Sequence, residues 1–500
     1  MNLKPLGYTA LIQKYDLAVM PHYCSSYLLN SGVMRVERVG EQIQTFYPAK
    51  YEPGESDGDQ LSFALKYEGV HLSLLDRLFQ LMPPRELCAY LIQKPTGKYV
   101  RRIWFFYEFL TGHRLELPDL QQGNYTDLLD PERYYVNPQP DKVGRQRINV
   151  NFWGTSRFCP VVRRTEILKQ FEQMDLSARC SQVIAAYSPH LLKRALGYLY
   201  TRETRSSFEI EQEQPTTDRV ARFVQLLQLA ERDDFCQKAA LIDLQNRTVD
   251  PRFCDHDYRQ TQNYVGETAH WHQEIIHFVA PKPEDLPELM AGLIETHQKM
   301  GKKGLSPVIH AAIIAYGFVF FHPFEDGNGR IHRFLMHNIL ARRGFSPKGI
   351  MFPLSAWLLK QPLAYEASLD AFSKPLMPLL DYDLDSEGQM TVHNHTADFY
   401  RYPDLTPQAE ALFGFIQATL EKELAPELAF LLQYDTCKQA LQNTLDLPDR
   451  QIDLFIRFCL QNQGQLSASK RKRHFAELTD AEIAALEAAF QAAFGEGARI

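Results

Sequence analysis

Phe321-His322-Pro323-Phe324-Glu325-Asp326-Gly327-Asn328-Gly329-Arg330-Ile331-His332-Arg333 is the stretch around which this 500-residue chain is organised. It holds two histidines, two acids, an asparagine between two glycines, and two arginines three apart. The segment before it says how it is held. Ser306-Pro307 is a helix start, a capping hydroxyl followed by the proline that suits the first helical position. Residues 308–321 are apolar nearly all round, which predicts a buried central helix delivering His322 at its end. Pro323 stops that helix, residues 325–329 form a tight loop, and a second helix runs over about 330–343 before Gly344 and Pro347. The pattern is helix, loop, helix.

The residue types in the loop suit an anion. Gly327-Asn328-Gly329 ahead of a helix presents backbone N–H groups at the positive helix end, and glycine lets the backbone approach phosphate closely. Arg330 and Arg333 project toward one place, and guanidinium forks match phosphate oxygens, so the pair points to a polyphosphate. Asp326 suits one ligand of Mg²⁺, which takes few carboxylates and completes its shell with phosphate and water. His322 fits a general base that deprotonates an attacking hydroxyl, whereas His332, inside the second helix, reads as structural. Together these residues predict phosphoryl or nucleotidyl transfer by positioning and charge neutralisation.

Composition bounds the rest. The chain is too long for one core, so two to four domains are expected, and 45% hydrophobic with 23% charged residues is ordinary for a folded globular protein. A net charge of −7 gives no general attraction for polyanions, so nucleic acid is not an expected partner outside a local basic patch. Eight scattered cysteines without a CxxC pair predict reduced thiols and a cytoplasmic location. The N-terminus lacks a signal-peptide pattern, and no apolar run reaches the roughly 18 residues of a membrane span, so no membrane partner is expected.

Along the chain, residues 1–200 read as an N-terminal region of unknown role, mostly helical. One helix is expected over 61–81 and another over 96–112, with Arg101 and Arg102 on a solvated face; residues 117–147 read as loop or linker. If residues 204–215 are helical, Ser207 and Glu211 share a face from which a carboxylate could reach a cation elsewhere; the alternative is a solvated acidic turn. Residues 266–279 predict two short strands around a turn, the second holding Ile275, Ile276, His277, Phe278 and Val279. His270, His272 and His277 read as surface histidines, since their spacing is not that of a helical zinc motif. A helix over 352–371 closes the domain, residues 381–398 mark a boundary, and residues 400–500 form a C-terminal helical domain. The one basic run, Lys470-Arg471-Lys472-Arg473-His474, reads as a solvated linker.

The motif from His322 to Arg333 resembles the signature of Fic (Fido) domain proteins, His-x-Phe-x-Asp/Glu-Gly-Asn-Gly-Arg-x-x-Arg, at every defined position, with the resemblance extending over about residues 220–375. It implies a mainly α fold: a helical core with a small β-hairpin flap over residues 216–385, between a mostly helical N-terminal region and C-terminal helices. It implies transfer of AMP from ATP to a Ser, Thr or Tyr hydroxyl of a target protein. His322 would be the base, Asp326 the Mg²⁺ ligand, Gly327, Asn328 and Gly329 the anion hole, and Arg330 and Arg333 the phosphate-binding pair. The second glycine separates it from the variant that phosphorylates targets, which carries lysine there.

The same resemblance gives residues 201–215 a role as an inhibitory helix. Autoinhibited members carry Ser/Thr-x-x-x-Glu-Gly/Asn, whose glutamate pairs with the second arginine. Ser207 and Glu211 fit this pattern, and Gln212 departs from it. Residues 275–279 would be the flap that holds target backbone by strand addition. The leading expectation is a protein adenylyltransferase using ATP and Mg²⁺, held off by Glu211 on Arg333. Two other readings stay open: a hydrolase removing AMP at the same site, and a nucleotide-sensing regulator that binds DNA through Lys470 to Arg473. A homo-oligomer is left open.

Overall fold

The computed structural model describes residues 3–495, without residues 30, 31, 41, 271, 272, 302 and 303. It is mainly helical with small sheets. Its centre is the helix Pro307–Phe321, every residue of which from Val308 onward is buried. A helix apolar on all sides can be stable in water only when wrapped, and Leu286–Met300, Asn328–Arg342 and Thr406–Thr419 surround this one. Gly317 admits the Phe158 ring, and a Cβ there would lie 2.8 Å from it. The expected Ser306 side-chain cap is not made. Pro307, which needs no N–H partner, sets the helix start instead, and His310 N–H bonds the Ser306 carbonyl.

The N-terminal region carries a four-stranded sheet that the sequence reading does not include. Its order is Lys4–Leu6, Cys24–Leu29, Gln42–Pro48, Arg35–Val39, with the middle pair parallel. Arg35–Val39 is exposed throughout, so it lacks the alternation that betrays a half-buried strand. The single helix expected over 61–81 is two, Asp57–Tyr67 and Leu72–Leu81, broken at Gly69, whose φ of 99° only glycine adopts readily. Arg101 and Arg102 are buried, contrary to the expected solvated face. Residues 117–147 fold over them into a three-stranded sheet with Ile148–Val150, rather than forming a linker. Their carbonyls accept from both guanidinium groups, Arg101 Nη1 to Asn124 at 2.7 Å and Arg102 Nε to Asp127 at 2.9 Å.

The central cluster of buried apolar residues runs across residues 200 and 400, the bounds expected for the flanking regions. Val161 packs in the N-terminal core and Val162 in the central one, so the helices Glu166–Met174, Leu176–Ala185 and Pro189–Ile210 belong with the central body. At the other end the central core continues to Leu428, and a separate C-terminal core begins at Cys437. The two are joined by Thr406–Thr419, a π-helical turn Leu420–Leu424, and Ala425–Thr444. Pro426 gives the reason for the π turn, because it lacks the N–H that an α-helix requires. The helix expected over 352–371 is split at Pro362 into Leu354–Lys360 and Pro362–Leu376. Residues 381–398 include a small hairpin. The basic run is the helix Ala468–His474, with Arg471 paired to Asp480 and Lys470 over the Phe458 ring at 4.5 Å, and not a linker. Among the described residues no helix is long and apolar enough to cross a membrane.

Candidate active site

His322 caps the core helix in the left-handed region, with φ 48° and ψ 58°. Its Nδ1 lies 3.0 Å from the Val319 carbonyl. A carbonyl can only accept, so Nδ1 carries the proton and Nε2 keeps its lone pair. Burial pushes the imidazole pKa down to about 4; the Val319 bond opposes this and the cation of Arg259 adds to it. The ring is therefore neutral near pH 7, as a base must be.

The loop is closed by its own asparagine. Asn328 Nδ2 donates to the Phe324 carbonyl at 2.7 Å, and Phe324 N–H donates back to Asn328 Oδ1 at 3.1 Å. The Asn328 side chain is thus spent on loop shape, and the positions of the expected anion hole present backbone at the start of the helix Asn328–Arg342. Gly327 stands at the N-cap with φ 90°. Asp326 Oδ1 accepts from Gly327 N–H at 2.5 Å and from Arg330 Nη2 at 2.7 Å.

Arg330 and Arg333 are each 1% exposed, and each is met by an acid from one short segment. Arg333 Nη2 lies 2.8 Å from Glu211 Oε1 and 2.6 Å from the Ser207 carbonyl, and its Nε donates to Ser207 Oγ at 3.0 Å. Ser207, Glu211 and Arg333 are therefore together. The Glu211 carboxylate stands against Gly329, where any Cβ would collide with it. Arg330 Nη1 lies 2.9 Å from Glu213 Oε2, which also accepts from Arg219 Nη2 at 2.8 Å. Arg330 Nε is buried without a partner among the described residues.

Local backbone explains how one segment reaches both arginines. The helix Pro189–Ile210 ends with Gln212 N–H on the Glu209 carbonyl and Glu213 N–H on the Phe208 carbonyl, the paired bonds of a Schellman turn. That turn needs a left-handed residue after the cap, and Gln212 supplies it with φ 57°. The Gly or Asn of the family pattern is the residue type suited to this conformation, so Gln212 pays a backbone cost without changing the turn. Upstream, Glu203 is buried and accepts from His337 Nε2 and from Ser355 N–H, each at 2.7 Å. Arg194 reaches Asp435 at 2.5 Å, which ties the same helix to the C-terminal helices.

The hairpin consists of Tyr264–His270 and Gln273–Val279, antiparallel, with irregular register between Val265 and Gly266. Ile275 and His277 are exposed, Ile276 is half-buried, and Phe278 and Val279 turn inward. The Phe278 ring centroid lies 6.4 Å from that of His322, so the hairpin borders this imidazole. His272 lies outside the described residues. His332 is fully buried with Nδ1 on the Ala315 carbonyl at 2.8 Å, and burial pushes its pKa to about 3.

As a cation site, Asp326 stands nearly alone: among the described residues no group of three or more His, Cys, Asp or Glu could hold a metal. A single half-exposed carboxylate is a donor set that fits Mg²⁺ arriving with phosphates and fits a resident transition metal poorly. Sequence reasoning missed Glu213 and Arg259. Arg259 is buried behind the loop and donates Nε to the His322 carbonyl at 2.7 Å. No periodicity or motif singled out either residue.

Residues 235–340 match the family described as Fic/DOC family. A protein adenylyltransferase Fic from Nematostella vectensis is 39% identical over 95 residues, covering 19% of this chain and 20% of that protein. One from Culex quinquefasciatus is 35% identical over 125 residues, covering 24% and 22%. The chain thus spans about a fifth of the length of these curated relatives. Among solved structures, a Fic family protein from Desulfovibrio desulfuricans G20 aligns with a TM-score of 0.36 and 18% identity over 62% of this chain and 84% of that one. A Fic domain containing signaling protein from Bacteroides thetaiotaomicron VPI-5482 aligns at 0.37 and 19%, over 52% and 96%. The chain's likeness to the Fic/DOC family lies within residues 235–340, which include the motif from His322 to Arg333.

Proposed function

We propose that this chain is a protein adenylyltransferase whose resting state is held off by residues 207–213. One observation carries the reading: two buried arginines beside a helix N-terminus and a neutral imidazole are each neutralised by a carboxylate from that one segment. Two fixed cations of this kind suit a polyphosphate, and the carboxylates occupy the place of its charge. In the reaction proposed, ATP phosphates replace Glu211 and Glu213 on Arg333 and Arg330. His322 Nε2 takes the proton of a target Ser, Thr or Tyr hydroxyl as its oxygen attacks the α-phosphorus. The bond from that phosphorus to the bridging oxygen breaks, leaving an AMP ester on the target and pyrophosphate. Asp326 is the residue that would hold Mg²⁺, which would supply neutralisation of phosphate charge. Residues Ile275 to Val279 offer a strand edge for target backbone. The name of the curated relatives is in keeping with this reading.

The test is mass spectrometry of a lysate treated with ATP and the purified full-length Glu211→Gly protein. AMP adducts on hydroxyl side chains are expected. Absence of adducts from a protein that binds ATP would contradict the reading. AMP removal is the second reading, favoured by the Glu211 carboxylate standing on the loop, where it could orient a water. Loss of AMP from a modified target with wild type, but not with Glu211→Gly, would select it.

A further inference from the structure

We propose that Arg259 is a positioning residue that fixes the hairpin relative to the imidazole of His322, an inference that rests on the reading of His322 as the base. Arg259 lies 63 residues before His322, outside the motif. Its side chain is 3% exposed and donates to four carbonyls: Nε to His322 at 2.7 Å, Nη1 to Thr261 at 2.6 Å, and Nη2 to Pro281 at 2.5 Å and Phe321 at 3.5 Å. Its own backbone N–H donates to the Pro323 carbonyl at 2.8 Å. Phe321, His322 and Pro323 lead into the catalytic loop. Thr261 and Pro281 are the two feet of the hairpin, just before Tyr264 and just after Val279.

The chemistry argues that this joint is made for geometry. Among the described residues no carboxylate forms an ion pair with Arg259, and burial pushes its pKa down to about 10. A buried cation without a paired anion is costly, and an apolar residue would fill the same space without that cost. What guanidinium offers is a rigid planar fork with five donors, able to span carbonyls from two separate segments at once. The other bonds at the feet do not do this. Ala280 N–H to Asn263 at 3.0 Å and Gln262 Nε2 to Ala280 at 2.7 Å close the hairpin on itself. The Thr261–Glu325 side-chain bond and Asn263 Nδ2, 3.4 Å from the Phe324 carbonyl and 3.5 Å from that of Glu325, do cross to the loop, but each from one foot only, the first at the exposed rim and the second at the long end of bonding distance. Arg259 is the buried side chain that reaches both feet and the loop at once, so it sets where a hydroxyl held along residues 275–279 meets Nε2.

The test compares Arg259→Lys and Arg259→Gln in the full chain carrying Glu211→Gly. Lysine keeps the charge but donates from a single point; glutamine loses the charge. AMP transfer is expected to fall about a hundredfold in both, as for a small misplacement of reacting groups, while ATP affinity stays within about twofold. The charged and titratable groups facing His322 are Arg259, Glu211, Asp326 and, behind it, His332. With Glu211 replaced, removing the Arg259 charge leaves Asp326 to favour the protonated ring. The pH midpoint for carbethoxylation of His322, read by mass spectrometry, should then move up in Arg259→Gln and stay at the parent value in Arg259→Lys. An Arg259→Lys protein transferring AMP at the parent rate overturns the proposal. So does a loss of transfer matched by an equal loss of ATP binding. Carbethoxylation needs no transfer: a parent that binds ATP but transfers nothing defeats the proposed function, and an unmoved midpoint with unchanged His322 reactivity in Arg259→Gln separately defeats this joint.

Discussion

The loop of residues 322–333 and the segment of residues 207–213 meet at the same two arginines but are held in opposite ways. The loop is fixed by buried, internal bonds: Asn328 across to Phe324, His322 onto Val319, and Arg259 behind it. The segment is held by two carboxylates about a third exposed, at the C-terminal end of a helix, on a turn that puts Gln212 in a left-handed conformation. A hydrogen bond to a charged group contributes about 1.5–3 kcal/mol. That scale is enough to populate one state strongly, and small enough for a nucleotide or partner to reverse. On the proposed reading, the catalytic geometry is built in and access to it is adjustable.

Each prediction strains one side of this comparison. The largest effect falls on the loop: His322→Ala in a Glu211→Gly background should lower AMP transfer by about 10²–10⁴-fold with ATP binding retained, measured with labelled ATP. On the segment, Glu211→Gly alone should raise transfer about 10- to 100-fold, the equivalent of one charge-assisted bond. Adding Glu213→Gln should raise it further, by about 3- to 10-fold, because the amide still bonds Arg330 but no longer neutralises it. No further gain would mean that Glu211 is the whole latch. Gln212→Gly should act in the opposite direction, steadying the turn by about 1 kcal/mol and lowering basal transfer about fivefold.

The pH response should be smallest near neutrality. His322 titrates at about 4, so on its account transfer is flat from pH 8 to 6 and falls only below about pH 5. The sign for stability follows from the same shift. Burial lowers His322 and His332 from 6.5 to about 4 and 3, and pushes His22 and His310 well below it, so the unfolded chain binds more protons. Stability is full above pH 6.5 and is lost progressively as pH falls from 6.5 through about 4 to about 3, which a series of thermal melts would register.

The loop and its helices were legible because their signals are local. An all-apolar run, a proline on either side and a Gly-Asn-Gly turn are properties of consecutive residues, and the Ser207–Glu211 spacing places two side chains on one helical face. Glu213 was not legible, since its reach to Arg330 depends on a turn that reverses the chain after Glu211. Arg259 was not either: its partners are carbonyls, which every residue has. The solvated reading of Arg101 and Arg102 failed for a similar reason. Only the tertiary fold brings residues 117–147 over them. The N-terminal sheet was hidden by short strands and one exposed edge, which leave no alternation to read.

The central claim is a built site under a removable latch. It is tested most directly by the rate at which purified full-length protein incorporates label from α-labelled ATP into protein hydroxyls, for wild type, Glu211→Gly, and Glu211→Gly with His322→Ala. The account predicts low, high, and at or below the wild-type rate, in that order. Equal incorporation by wild type and Glu211→Gly, with ATP bound by both, would contradict it.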